Sequence, residues 1–374
     1  MTKAAELAKM GEVLTNSQIG GRRNIIINGA MQVAQRGTSS TGLGASDGYY
    51  TVDRFGLNFS STGARLTMTQ DSPTDLSGFT KALKLDCTTA DTSIGSAEYI
   101  QLHYRIEGQD LQQLKKGTSD AEKITISFYV KGNASATYTC EIEDVDNNRY
   151  NSQEFSVTTS WTKVTLTYNA DTTGVLDNDN GQSMAINFWL HVGSNFTGGT
   201  HTDNVWHTTA NQRVGDNQTS FADSTDRTFF ITGVQLEIGS QATPFEHRSF
   251  GEELGLCQRY YSREEAATGA AYKRYGTGSW SSTTVFELLI PLSTPLRTSP
   301  TLETTGTASN YAVYSANAVD ACTALTITND ADAGTNNRAV AMYGNTSSGG
   351  VTGEGGTFLA NSDTDNFLAL DAEL

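Results

Sequence analysis

Positive charge is scarce in this chain relative to negative. Lys and Arg total 25 against 41 Asp and Glu in 374 residues, a formal charge of −16. No Lys/Arg cluster occurs, so the basic patch that a phosphate backbone needs is missing, which argues against nucleic acid as a partner. The same deficit disfavours an anionic membrane surface, and no run of about 20 apolar residues is present to span a bilayer. Five prolines are too few for a proline-rich stalk. Four cysteines, Cys87, Cys140, Cys257 and Cys322, stand far apart with no CxxC or Cys/His metal spacing. Synthesis in a reducing cytosol is the expectation, with Cys140 and Cys322 as small buried hydrophobes. The opening MTKAAELAKM lacks the apolar core of a signal peptide.

Enzyme signatures are missing as well. There is no GxSxG, no Walker loop and no Rossmann turn after a strand. His201 and His207, in HTDNVWH, match no zinc spacing and read as a solvated loop. With so many carboxylates, a glycosidase-like acid–base pair can be nominated anywhere, and the nomination carries no weight. A non-enzyme is expected.

What the chain does have is glycine (36 residues) with abundant Ser, Thr, Asn and Asp, against 37% hydrophobic and 18% charged residues. Many short strands joined by polar turns fit this composition, so the expected class is all-β, with two β-sandwich, jelly-roll-like domains and two short helices. Residues 1–21 form the first helix, capped by Thr2, with Leu7, Met10 and Leu14 on one face and Gly20-Gly21 ending it. Two readings stand for that helix: packing on its own domain, or an attachment arm docking on a symmetry mate or larger particle. Ile25 to Ile27 read as a β-branched strand before the turn pair Asn28-Gly29, and residues 37–48 as a loop. Asp53 either pairs with Arg54 or bonds turn amides. Strands are predicted over 55–69, 81–87, 99–106, 123–130, 137–144, 153–157, 161–168, 185–192 and 228–236, with Trp161 and Trp189 in the core. Ile124, Ile126, Phe128 and Val130 alternate with Thr125, Ser127 and Tyr129, the pattern of a half-buried strand.

The grammar changes between Thr228 and Tyr261. A strand ends at Gly239, Thr243 is held extended by Pro244, and Ser249 precedes Glu252 by three residues as a capping box. A helix follows, with Leu254, Cys257 and Tyr261 on one face. The predicted domains are therefore 1–21, 22–248 and 249–374, the last a second β-sandwich. In it, Pro291, Pro295 and Pro300 break strands and FLALDAEL closes the chain as a strand.

Two stretches carry a resemblance. GVQLEIGSQATPFEHRSFGEELGLCQRYY, ending at Tyr261, and NIIINGAMQVAQRG (Asn24 to Gly37) followed by YTVDRF (Tyr50 to Phe55) are similar to segments of virion structural proteins of tailed bacteriophages, of the tail fibre or appendage type. That resemblance implies a virion component made in the host cytoplasm, commonly a homotrimer, with other virion proteins as partners. The order ITISFYVKG, TSWTKVTLTY, MAINFWLHV, FFITGVQLE resembles jelly-roll carbohydrate-binding modules and implies that fold for the first domain. A short appendage subunit adhering to host-surface glycan is one implied role; the other is a capsid or collar decoration with no host ligand.

Sugar rings stack their C–H faces on aromatic side chains while amides and carboxylates take the hydroxyls. Tyr272, Tyr275 and Trp280, clustered in AYKRYGTGSW, and Trp206, beside Asn204 and His207, are the glycan-binding candidates. Packing of those rings in core or rim is the competing reading. Adhesion predicts at least one of Tyr272, Tyr275 and Trp280 exposed; decoration predicts them internal. Asp177 and Asp179 in DNDNG alternate as in a calcium loop, which would make a structural Ca2+ the one cofactor. Phe188 stands where such a loop needs its final Glu, and Asp144 with Asp146 makes a simpler case; ordinary acidic turns explain both.

Overall fold

The computed structural model describes residue 3 and residues 23–264, 270–316, 318–328 and 339–374. Leu7, Met10 and Leu14 of the expected attachment arm lie outside them. The chain divides into two compact units, 1–253 with Leu374 and 254–373. The division falls within a helix, α2.

The first unit contains strands β1 (Ser39–Leu43), β2 (Gly48–Tyr49), β3 (Phe55–Ser60), β4 (Arg65–Asp71), β5 (Ala82–Thr89), β6 (Tyr99–Glu107), β7 (Ile124–Gly132), β8 (Ala136–Asp144), β9 (Arg149–Val157), β10 (Thr162–Tyr168), β11 (Gln182–Val192) and β12 (Thr228–Ile238), with the one-turn helix α1 (Ser194–Thr197). They form two six-stranded sheets, ordered β1-β4-β5-β12-β7-β10 (sheet 1) and β2-β3-β6-β11-β8-β9 (sheet 2). This is the expected sandwich of jelly-roll type. Alternation places Ile126, Phe128 and Val130 of β7 and Ile186 and Phe188 of β11 in the interior, all fully buried. Phe128 and Phe188 meet edge to face between the sheets, 5.1 Å between ring centres.

Three local expectations are corrected. The predicted single strand over 55–69 is two strands in different sheets, because Ser61 turns the chain at φ +52°. The 37–48 loop contributes β1, whose Ser39, Ser40 and Leu43 pair with β4 at the edge of sheet 1. Ile25 to Ile27 form no strand. They are buried all the same, as a plug beside β12, where the Ile25 amide donates to the Leu236 carbonyl at 3.0 Å. Asp53 bonds a turn amide: its Oδ1 accepts from the Gln35 N–H at 2.8 Å. Arg54 lies over the Tyr104 ring.

Helix α2 (Phe250–Gln258) begins with one of the two bonds of the expected capping box, the Ser249 hydroxyl accepting from the Glu252 amide at 3.3 Å. It stops before Tyr261, which opens a strand.

The second unit contains β13 (Tyr261–Glu264), β14 (Arg274–Trp280), β15 (Val285–Pro291), β16 (Thr301–Thr304), β17 (Tyr311–Ser315), β18 (Ala318–Ile327), β19 (Ala339–Thr346), β20 (Gly355–Ala360) and β21 (Leu368–Asp371). Six of these, in the order β14-β15-β19-β18-β17-β20, close into a barrel, beside a three-stranded sheet β13-β21-β16. A sandwich was expected here. The strands are β as predicted, but β14 pairs with both β15 and β20, and the closure leaves no open edge in that sheet. Gly278 permits it: a Cβ there would stand 2.0 Å from the Glu287 carbonyl oxygen. Trp280, Phe286, Tyr311, Met342 and Phe358 fill the interior.

Candidate functional site

The aromatic residues singled out in sequence do not converge. Trp280 is 1% exposed inside the barrel, its indole N–H donating to the Ser315 hydroxyl at 3.1 Å. This corrects its reading as a glycan contact: a core position can hold a Trp when a partner for its N–H is built in. Tyr275 is half-buried against Tyr311 and Phe358. Tyr272 is the one left in solvent, 55% exposed. On β17, Tyr311 and Tyr314 face oppositely, the first buried and the second exposed.

Trp206 is half-buried in the first unit and has structural work. Its N–H donates to the Asn169 carbonyl at 2.6 Å, and Lys116 Nζ lies 5.0 Å from its ring centre. Trp161, expected in the core, is instead half-buried. Its N–H reaches Asp75 at 2.9 Å, and Lys131 stands over its ring.

The acidic turn at Asp177 serves the backbone. The Asp177 amide donates to Asp146 Oδ2 at 2.9 Å, and Asp179 Oδ1 accepts from the Gly181 amide at 2.8 Å. Asp144 is buried and paired with Lys116. His201 meets the Ser152 hydroxyl, and His207 Nδ1 accepts from the Thr209 amide.

A different surface gathers the right chemistry. On β6, Ile100, Leu102, Tyr104 and Ile106 point into the sandwich. Tyr99, Gln101, His103 and Arg105 must therefore point away from it. The register extends this outer face across sheet 2. Gln101 pairs with Asn58 on one side and Trp189 on the other; His103 stands opposite Asn187, which stands opposite Glu141. In the next row Glu143 faces Tyr150.

The segment that follows β11 lays Arg213 over this face. Its guanidinium forks onto Glu141 with two contacts of 2.7 Å and reaches Glu143 Oε2 at 3.0 Å. It also stacks 4.0 Å above the Tyr150 ring. Asn187 donates to both carboxylates, at 3.0 and 2.7 Å, and the Trp189 N–H reaches Glu141 at 3.2 Å. Burial works against the Arg213 charge, yet the two glutamates hold its pKa above the ordinary value. Burial, and then the Glu141 charge, raise the pKa of Glu143.

Beside this network Tyr99 packs edge-on against Trp189 and Phe196, which are tilted against each other, with ring centres 5.0 to 5.6 Å apart. Tyr99, Asn58, Arg105, Glu143 and Tyr150 remain partly open to solvent. Gln101 has no protein partner for its amide among the described residues, although it is 5% exposed. His103 is sealed beneath the face, with burial, and then Arg105, pushing its pKa well down. It fits there because a Cβ on Gly56 would lie 2.5 Å from its ring. The arrangement offers fixed aromatic walls, an open amide and a held carboxylate–guanidinium pair. Groups of these types can stack on, and hydrogen-bond to, a neutral polyhydroxylated ring.

The sequence contained a usable signal for this face, in YIQLHYRIE of β6. Its outward set carries an aromatic, an amide, an imidazole and a guanidinium in alternate positions.

No protein-family model matches the chain. No curated protein matches it. Solved structures similar to it include one described as "CBM4 structure and function", at 13% identity and TM-score 0.29, covering 56% of this chain and 97% of that one. A family 11 carbohydrate-binding module from Clostridium thermocellum, in complex with a beta-1,3-1,4-mixed-linked tetrasaccharide, has 12% identity and TM-score 0.28, covering 55% and 98%. TmCBM61 in complex with beta-1,4-galactotriose has 9% identity and TM-score 0.29, covering 58% and 99%.

Proposed function

We propose that this chain is a structural protein of a tailed-bacteriophage particle, a short tail-fibre or appendage subunit, whose first unit holds host-surface glycan on the outer face of sheet 2. The observation that carries the glycan half is that face: Tyr99 as a partly open ring, Gln101 and Asn58 as hydroxyl partners, and the Arg213–Glu143 pair held beside them. Its role is adhesion without catalysis, and no cofactor takes part in it. A homotrimer would multiply weak sites into tight attachment.

Support for the virion half comes from the two segments that resemble phage appendage proteins. They lie about 200 residues apart in sequence, yet they bind each other. Asn24 Oδ1 accepts from the Leu236 amide at 3.0 Å, Arg248 donates to the Ile26 carbonyl at 3.0 Å, and the Asn28 amide donates to Glu253 at 2.5 Å. Uncommon neighbours in fixed order are what one shared hydrogen-bond node would demand.

The second reading, a capsid or collar decoration with no host ligand, draws on Trp280 and Tyr275 being turned inward. Electron cryomicroscopy of the intact particle, with symmetry left free, separates the two. Density projecting from the tail is expected; density on the head or collar would overturn the appendage reading.

A further inference from the structure

We propose that Asp91, Glu98 and His191 form a binding site for a divalent first-row transition metal of the zinc class, clipping the 90–98 connection to the end of β11. Their ligand atoms all lie within 4.8 Å of one another. It is the one such trio among the described residues, and it is independent of the glycan reading.

Each donor is held from behind. Asp91 Oδ2 accepts from the Gly63 amide at 2.6 Å and the Thr62 hydroxyl at 3.1 Å. Glu98 Oε2 accepts from the Gly95 amide at 2.9 Å, and the Glu98 carbonyl accepts from the Gly193 amide at 2.8 Å, two residues beyond His191. His191 Nδ1 sits 2.7 Å from the Ser220 hydroxyl, the kind of outer partner that fixes a ligating imidazole.

The second observation is His191 Nε2. The residue is fully buried, and this nitrogen has no hydrogen-bond partner. It points at Glu98 Oε2 from 3.6 Å, beyond hydrogen-bond reach. A buried imidazole nitrogen without a hydrogen-bond partner, set beside two carboxylates, is placed to share a cation with them. A metal ion satisfies all three groups.

The donor set selects the ion. One imidazole nitrogen and two carboxylate oxygens suit zinc or its neighbours, with water completing the shell. Calcium takes roughly 6–8 oxygens, more than this trio offers.

Isothermal titration of the chelator-treated protein with Zn2+, and with Co2+ read by visible absorption, tests the site. One equivalent of Zn2+ is expected to bind. Affinity should fall by at least about tenfold in Asp91→Asn and in Glu98→Gln, both checked for folding by circular dichroism, and the Co2+ spectrum of wild type should show nitrogen–oxygen ligation that His191→Gln loses. Failure of Zn2+ and Co2+ to bind the wild type, tighter binding of Ca2+ than Zn2+, or affinity unchanged in the folded variants would overturn the proposal.

Discussion

Lys116 shows how local sequence can mislead about a single residue. Its ammonium, 4% exposed, lies against Asp144 and 3.0 Å from Asp171, with the Thr173 and Gly174 carbonyls completing its bonds at 3.0 and 3.1 Å. Trp206 closes the site from above. In sequence Asp144 looks like a ligand in an acidic turn and Trp206 like a sugar platform; in space both enclose one lysine. Removing the cation leaves two buried carboxylates, with Arg149 still on Asp171. Lys116→Met should therefore lower unfolding stability by about 3–5 kcal/mol, measured by urea denaturation near neutral pH. The pH profile supplies a second reading. Burial works to raise the Asp171 pKa, but the bonds from Arg149 and Lys116 prevail and hold it below 3.8. That stabilisation is present above 3.8 and is lost as pH falls through the depressed folded value. The acid limb of stability should be shallower in Lys116→Met; an unchanged limb and unchanged stability would contradict the pairing.

Elements were far more legible than sites, and the reason is period. The strand alternation in β5 to β8 and β10 to β12 places the apolar set without reference to any partner, so type and approximate bounds follow from the residues alone. Pairing partners do not. Tyr99, Glu143 and Tyr150 become one surface only because β6, β11, β8 and β9 are neighbours, an order set by long connections. Closure of the barrel through β14 and β20 joins strands about 80 residues apart in the chain, which no local pattern shows. The plug at 24–29 failed as a strand because its bonds go to one strand and several side chains. Its fit there is tight: a Cβ on Gly29 would lie 2.0 Å from the Val234 carbonyl oxygen, and the Val234 amide donates to the Gly29 carbonyl at 2.9 Å. Gly29→Ala should destabilise the first unit by about 1–3 kcal/mol through this clash. Thermal unfolding followed on that unit checks it, and a variant as stable as wild type would show that the plug is not packed as described.

At the scale of the molecule, an all-β chain of two units carries a charge of −16 and a ligand-type face that is aromatic and polar rather than basic. None of the four cysteines is in a disulfide, and all four are buried. Burial raises the thiol of Cys87 to about 11 and those of Cys140 and Cys322 to about 12, so these three serve packing rather than chemistry. The central claim is that glycan binds the outer face of sheet 2. The most direct test is a glycan array probed with the whole chain, followed by calorimetric titration of the strongest hit, as a free oligosaccharide, into wild type, Tyr99→Ala, Gln101→Ala and Tyr272→Ala. Wild type should bind, with affinity at least about tenfold weaker in the first two variants, equivalent to about 1.4 kcal/mol, and unchanged in Tyr272→Ala. An array with no bound glycan, or binding lost in Tyr272→Ala and kept in Tyr99→Ala, would contradict it.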